Sequence, residues 1–313
     1  MSFLNAMEMK ALRAILRDAT ERWARVGLRP YQFGRDGSRQ FDGNILEDAL
    51  MPGLVSIPEV SNPGDPTPLL TGNKPVEVRY RRRTWRGGVR YLWEDQYADK
   101  IGYYSRLVRG LGDALEYSLE LLYHEPFFNA TNPSYVGGWD NLPLLSDAHK
   151  LLGGTGTWSN RYSYAAPSDT VLRQIEETFD TLPDAYGRPY AINRIVIFTS
   201  TKLLRAFEQA LNARTALTNP FASGQVNPNA NIPPAFDAGR FTVIGSPYLN
   251  AIDLGSGPGN LYFALGQGHE LFVGKAFSRE RMFNLDNPPA VQHEVWWSGN
   301  VGWTSADRVL GYV

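Results

Sequence analysis

The sequence predicts an α+β fold, on three observations. Strand-like and helix-like stretches follow one another without regular alternation, which does not suit a doubly wound sheet. One stretch, Val76 to Trp93, combines β-branched, aromatic and arginine residues and holds no proline. Directly after it, Ile101, Tyr104, Val108, Leu111, Leu115, Ser118 and Leu122 recur at three–four spacing, the period of a long helix with one buried stripe.

The elements are read in chain order. Leu12, Ile15, Leu16, Ala19, Trp23 and Val26 make an amphipathic N-terminal helix, with Arg13, Arg17, Arg22 and Arg25 between them and Gly27 as a stop. Pro30 to Met51 is polar and glycine-broken, an extended arm. Val55–Val60 reads as a short edge strand, because Pro58 lacks a ladder donor. Ser61 to Pro75 holds four prolines and two glycines and reads as an exposed loop tip.

Two arrangements then suit Val76–Trp93. If Gly87–Gly88 is a tight turn, Trp85 faces Arg90, Arg82 faces Trp93 and Arg81 faces Glu94, giving cross-strand cation–π and ion pairs. Otherwise the proline-rich loop is the tip of a larger hairpin, with Val55–Val60 outgoing and Val76–Trp93 returning. The second is preferred, since a long proline-rich loop between two strands needs a reason to exist.

The helix that follows runs from Asp99 to His124, roughly 39 Å at 1.5 Å per residue, and ends at Pro126. Gly102, Gly110 and Gly112 weaken it in isolation, so packing must hold it. Asn129–Asn160 is loop-rich. A further helix starts at the cap Ser168 and carries Val171, Ile175, Phe179 and Leu182. Ile192–Thr199 reads as a buried strand and Thr201–Ala213 as a helix. Asn219–Pro234 is an Asn/Pro/Gly-rich loop. Strands are expected at Phe241–Ile244, Leu261–Leu265 and Leu271–Val273, and Val291–Val313 alternates like a long hairpin.

Composition narrows the function. The 313 residues suggest about two domains. A hydrophobic share of 43% is enough for a sizeable core. Net charge is -1, from 31 basic and 32 acidic residues, whereas a dedicated nucleic-acid binder is normally basic overall. The absence of cysteine excludes disulfides, thiolate metal sites and cysteine nucleophiles. Apolar runs such as Ile195–Phe198 are too short to span a bilayer, and the N-terminus reads as an amphipathic helix and not a signal peptide. The expectation is a soluble protein made in the cytoplasm. Aromatic residues reach 12%, which suits a core or extensive interfaces, and composition does not choose.

The candidate chemical motifs are weak. Gly255-Ser-Gly257-Pro-Gly259-Asn260 lacks the last glycine of a phosphate fingerprint and leads into a strand, so a hairpin loop is the better reading. His124, His149, His269 and His293 form no local metal spacing. Ser146, Asp147 and His149 are sequence neighbours on a loop, whereas triad members converge from different elements. Glu176–Glu177 reads as a solvated helix face. No catalytic residue, cofactor or metal is predicted.

One local anomaly remains. Lys74, Arg79, Arg81, Arg82, Arg83, Arg86 and Arg90 face a single acid, Glu77, within one stretch. Alternation puts Arg79, Arg81 and Arg83 on one strand face. Three readings stand: a charged edge strand guarded against aggregation, a nucleic-acid surface with Tyr80, Trp85 and Tyr91 between the arginines, or arginine forks for carboxylates of a neighbouring protein.

The order of segments carries more information than any one of them. Taken together, the arm, the strand pair, the long helix, LPLLSDAHKLLGGTGTWSN, DAYGRPYAINRIVIFTSTKLLRAFEQAL and the closing WWSGNVGWTSADRVLGY resemble the major capsid proteins of tailed phages, the Hong Kong 97-type capsid fold. The resemblance covers nearly the whole chain. It implies an N-terminal helix and arm at 1–54 and an E-loop hairpin at 55–95. It further implies a peripheral domain with a spine helix (about Ala98–Asn129) at 96–167, an axial domain at 168–285 and return strands at 286–313.

The same resemblance implies a subunit of the virion that assembles in the host cytoplasm as hexamers and pentamers of itself. It encloses double-stranded DNA, without catalysis, cofactor or membrane. A separate scaffolding protein, a portal and decoration proteins are the further partners expected. Arg79, Arg81, Arg82, Arg83, Trp85, Tyr91 and Trp93 are expected to contact neighbouring subunits, so charge reversal at Arg81 and Arg83 should stop assembly of a folded subunit. Some members crosslink through an E-loop lysine; Lys74 sits at the tip, and that chemistry is not carried over. An encapsulin-type compartment on the same fold and a nucleic-acid-binding protein are the rival readings.

Overall fold

A long amphipathic helix needs a surface for its apolar stripe, and two sheets supply it. The computed structural model describes residues 25–35, 38–40, 45–50, 76–92, 94–95, 102–151, 156–183, 192–218, 240–286 and 289–313. The chain enters through a helical turn, α1 (Arg25–Leu28), and a 3-10 turn at Pro30–Phe33. Four strands follow: β1 (Ser38–Gln40), β2 (Ile45–Leu50), β3 (Val76–Arg81) and β4 (Arg83–Leu92). Next is the long helix α2 (Tyr103–Phe128), then short strands β5 (His149–Lys150), β6 (Thr157–Trp158) and β7 (Arg161–Tyr162). Helix α3 (Asp169–Thr181) and strand β8 (Ile195–Ser200) lead into helix α4 (Thr201–Thr218). The rest is strands: β9 (Phe241–Ser246), β10 (Tyr262–Gly266), β11 (Leu271–Asp286), β12 (Pro289–Trp303) and β13 (Val309–Tyr312).

Two sheets carry the body, in the orders β1-β11-β12-β4 and β7-β13-β10-β8-β9. Helix α2 packs between them. Val108, Leu115, Leu119, Leu122 and Phe127 join Val291, Val295 and Trp297 of one sheet and Val196, Phe198 and Phe263 of the other in a single core. The far face of the second sheet is covered by α3 and α4, where Ile195 and Ile197 meet Val171, Ile175, Phe179 and Phe207. Strand β8 is therefore covered on both faces, which is why its sequence is an unbroken apolar run.

Several expectations hold locally. Ser168 caps α3, its Oγ accepting from the Val171 amide at 3.3 Å. The predicted α3 positions Val171, Ile175, Phe179 and Leu182 are all buried. Others are corrected. Helix α2 continues past Pro126 to Phe128. The lost backbone bond is offset by Phe127, fully buried and edge-on to Phe198 at 4.8 Å and Phe263 at 5.0 Å. Strand β11 is far longer than Leu271–Val273, and it forms the long hairpin with β12, register-matched from Leu271↔Trp303 to Asp286↔Pro289. Residues 291–313 are not a hairpin of their own, since β13 crosses to the other sheet. A division at 285/286 would cut one hairpin.

The Gly87–Gly88 turn is also overturned, because β4 runs straight through both glycines and pairs with β12 from Leu92↔Ala290 to Arg83↔Gly299. A Cβ on Gly87 would lie 3.0 Å from Leu111 Cδ1, so the missing side chain lets helix and sheet approach. Gly87→Val is expected to cost about 1–3 kcal/mol, read from urea denaturation; an unchanged midpoint would show that the helix has room to move. Gly27, read as a helix stop, lies inside α1 and is likewise a close approach: its Cβ would meet Glu120 Oε2 at 2.6 Å.

The partner of β3 is β2, antiparallel from Ile45↔Arg81 to Leu50↔Val76, so this hairpin is drawn from the segment read as a plain arm. Val55–Val60, the proline-rich tip, Trp93, Asp99, residues 219–239 and most of the N-terminal helix lie outside the described residues.

Candidate functional site

The arginine-rich stretch divides at Arg82. On β3, Val76, Val78 and Tyr80 turn inward while Glu77, Arg79 and Arg81 are exposed. On β4 the phase has flipped: Trp85, Gly87, Val89 and Tyr91 face α2, and Arg86, Gly88, Arg90 and Leu92 face outward. Arg79, Arg81 and Arg83 therefore do not share a continuous face.

Tyr80 pins the β2–β3 ribbon to the body. Its hydroxyl donates to the Trp303 carbonyl at 2.6 Å and accepts from the amides of Trp303 at 3.0 Å and Gly138 at 3.1 Å. Its ring stands edge-on to Phe272 at 5.3 Å. The ring occupies the space where a Cβ of Gly302 would sit, 2.4 Å from Tyr80 Cζ. One side of the ribbon is thus anchored while Arg79 and Arg81 point away from the body. Arg79 pairs with Glu77 of the same strand at 3.0 Å, with both partners largely exposed, an arrangement worth little by itself.

Arg83, Trp85 and Tyr91 are engaged within their own subunit. Arg83 forms an ion pair with Glu125 of α2 and lies over Trp85 at 5.1 Å. Trp85 meets Trp297 at 5.2 Å in a T-shaped pair. Tyr91 is buried, stacks near Tyr104 at 4.7 Å and shares a 3.1 Å hydrogen bond with His293. Tyr91 is thus nearly enclosed by its own subunit's core, 6% exposed. Arg82 lies at the break between strands, 5.7 Å above the Phe277 ring. Arg86 bonds Glu294 at 3.0 Å, and its guanidinium holds that carboxyl below the usual carboxylate range.

The histidines prove structural. All four are buried. His149 is 2.6 Å from Asp140 and stacks on Trp158, while Ser146 Oγ accepts from the Ala148 amide, so no Ser–Asp–His relay forms in that loop. A different relay-like group does exist: the His124 Nδ1–H donates to the Glu120 carbonyl at 2.7 Å, which leaves Nε2 to accept from Ser246 Oγ at 2.7 Å. Its members come from α2 and β9, and no local spacing could have shown it. Ser246 has no exposed surface, so a substrate cannot reach it. Burial lowers His124 to about 4 and raises Glu120 to about 7, the latter opposed by the Gly27 amide at 3.0 Å.

The glycine loop is closed by its own residues. Asp253 Oδ1 accepts from the amides of Gly255 at 2.8 Å and Gly257 at 3.0 Å, and three glycines adopt positive φ. Among the described residues no group of acids and histidines is arranged to hold a metal, and no helix is long and apolar enough to cross a membrane.

An exposed, anchored ribbon beside a two-sheet body defines a structural subunit with surfaces for partners. Comparison specifies the kind. Residues 75–304 match the family model described as phage capsid protein. The chain belongs to that family: it is a major capsid protein of the icosahedral virion shell and not an enzyme. No curated protein matches it.

Solved structures share the fold at low identity. The bacteriophage PhiM1 mature capsid superposes with TM-score 0.54 at 11% identity, covering 90% of this chain and 86% of that one. The cyanophage Pam1 capsid gives 0.53 at 14%, covering 93% of each. A virus-like particle from Pyrococcus furiosus gives 0.50 at 9%, covering 97% and 98%.

Proposed function

We propose that copies of this chain assemble as hexamers and pentamers around double-stranded DNA, with the β2–β3 ribbon serving as the E-loop that reaches a neighbouring subunit. The observation that carries this reading is the ribbon itself, held at Tyr80 with Arg79 and Arg81 on its exposed face. Arginine forks suit carboxylates, and a lattice multiplies each modest contact. Arg79, Arg81 and Arg82 take the intersubunit role, and Trp93, outside the described residues, is expected to share it. Arg83, Trp85 and Tyr91 serve the subunit's own packing. The spine-helix role goes to α2, the peripheral domain to the sheet containing β11 and β12, and the axial domain to α3, α4 and the strands between them. Scaffolding, portal and decoration proteins complete the expected partners.

The test is charge reversal on the ribbon. Arg79→Glu/Arg81→Glu is expected to leave a folded subunit, by circular dichroism, that forms no closed particles under negative-stain microscopy. Normal particles from this variant would remove the arginines from the assembly contact. Arg83→Glu is expected instead to destabilise the subunit, because it sets two acids, residue 83 and Glu125, against each other. The virus-like particle among the structural neighbours keeps an encapsulin-type reading in view; DNA in particles from the natural host supports the phage shell, and a single enclosed protein supports the compartment.

A further inference from the structure

Glu120 of α2 is a carboxyl buried at the place where the chain enters the body. Its side chain is 2% exposed. Oε2 accepts from the Gly27 amide of α1 at 3.0 Å, and Oε1 has no hydrogen-bond partner among the described residues. The described groups packed around it supply no cation. On α2, His124 Nδ1 lies 3.6 Å from Oε2, but its N–H is spent on the Glu120 carbonyl, and burial lowers that ring to about 4. Tyr123 adds a phenol, and Glu116, one turn earlier, a second buried acid. From β9 comes the Ser246 hydroxyl, which already serves His124, and from the 3-10 turn at Pro247–Ala251 the Tyr248 phenol. On α1 the groups that face the carboxyl are the amides of Val26 and Gly27. Ionised, Glu120 would be a buried charge supported by two amides alone; neutral, it keeps the Gly27 bond and loses the charge. Burial accordingly raises it to about 7.

The same carboxyl fixes α1. Gly27 lies so close to α2 that a Cβ would be 2.6 Å from Glu120 Oε2 and 2.9 Å from Tyr123 Cβ. The turn that follows is held by groups that do not titrate near neutrality. The Tyr31 hydroxyl donates to the Tyr123 carbonyl at 2.7 Å, and the Gly268 amide donates to the Phe33 carbonyl at 2.7 Å. The Pro30 carbonyl accepts from His269 Nε2 at 3.0 Å, and burial lowers His269 to about 4. The two ends of this short segment therefore answer differently to pH. Lifting α1 uncovers Glu120, whereas His124 keeps both its hydrogen bonds and its cover of Phe128, Phe198 and Tyr248.

We propose that Glu120 is a proton-operated latch for α1: protonated, it holds Gly27 against α2; ionised, it lets the turn lift about a fixed hinge at Pro30–Phe33. The residues before Arg25 join the body at this turn, so the latch governs where they leave it. The device belongs to the single subunit and stands whether or not the shell reading does. Proton linkage sets the sign. Closed, Glu120 titrates at about 7, and opening returns it to its ordinary 4.5. Closure is strongest below that lower value, weakens about tenfold per pH unit as pH rises towards 7, and then levels off. The buried histidines act in the opposite sense, loosening the whole subunit as pH falls.

Hydrogen exchange of the full chain, resolved to single amides and corrected for the intrinsic pH dependence of exchange, tests the latch between pH 5.5 and 8. Protection of the Val26 and Gly27 amides is expected to fall at least tenfold from pH 5.5 to 7 and to level off above 7.5. The Gly34 and Arg35 amides, beyond the hinge, and those of β8, which report global opening, are expected to stay level or rise. Glu120→Gln keeps the shape and an oxygen for the Gly27 amide without the charge, and is expected to remove the fall. Gly27→Ala sets a methyl against Oε2 and is expected to leave Val26 weakly protected at every pH in a chain folded by circular dichroism. No fall in the unaltered chain, or the same fall in Glu120→Gln, would overturn the latch. A parallel fall at Gly34 and Arg35 would overturn the hinge. If Glu120→Gln does not fold, Gly27→Ala decides: a pH profile at Val26 matching that of the unaltered chain would overturn the latch as well.

Discussion

Tyr80→Ala is expected to cost about 3–5 kcal/mol of subunit stability, the range for removing a packed aromatic ring. The ring meets Phe272 and fills the space above Gly302, and its hydroxyl serves two amides and one carbonyl. Tyr80→Phe separates the two contributions, since it keeps the ring and orphans the amides of Trp303 and Gly138, at about 1–3 kcal/mol each where these stay dry. Gly302→Ala drives a methyl into the ring and is expected to cost about 1–3 kcal/mol. The two sites share one cause, so their effects are not additive: in the Tyr80→Ala background the added methyl should be almost free. A double-mutant cycle by urea denaturation checks this, and independent costs would mean that the ring can move aside. Because Tyr80 joins the ribbon to the body, the same variants are expected to assemble poorly even where the subunit remains folded.

Acidification is expected to loosen the subunit between pH 6.5 and 4. Burial lowers His124, His269 and His293 from 6.5 to about 4. In that window the unfolded chain binds a proton on each ring and the folded chain does not, so stability falls as pH falls. At about 1.4 kcal/mol per unit, each ring contributes on the order of 3 kcal/mol. Glu120 acts in the opposite direction, since burial raises it from 4.5 to about 7 and the folded chain keeps its proton where the unfolded chain has lost it. Three rings outweigh one carboxyl, leaving a net loss on the order of 6 kcal/mol.

His269 has the least room for a second proton. Its Nε2–H donates to the Pro30 carbonyl at 3.0 Å, and its Nδ1 accepts from the Leu271 amide at 3.2 Å. Protonation would set two donors against each other, with Arg308 adding repulsion. His269→Gln is expected to flatten the pH slope by about one proton. Urea midpoints between pH 7 and 4 test this, and a flat profile for the unaltered subunit would contradict it.

How much of this was legible depends on where the determining contacts lie. Helix α2, helix α3 with its Ser168 cap, and strand β8 could all be read, because each presents its burial as a local period. Strand β11 was mostly missed: beyond Val273 a bulge between Lys275 and Phe277 shifts the phase, after which its outward side carries Arg279 and Arg281, so its apolar pattern is broken. Strand β2, ILEDAL, was hidden for a similar reason, and only its pairing with β3 reveals it. Gly87–Gly88 has turn chemistry in sequence and none in the fold, since the glycines answer to Leu111 and Glu294, residues far along the chain.

The sequence by itself determined the α+β class, the long helix, the doubly covered strand, the order of segments that marks a capsid subunit, and the excess of arginine near β3 and β4. Those follow from periodicity and composition, which are local properties. Only the tertiary structure decided which arginines remain outside the subunit and which are consumed within it. It also decided that the histidines are buried supports, and that a carboxyl of α2 comes to hold a backbone turn 93 residues earlier in sequence. Side-chain charge is written in the sequence, but its pairing depends on which distant strand lies alongside and on which face the register turns it to.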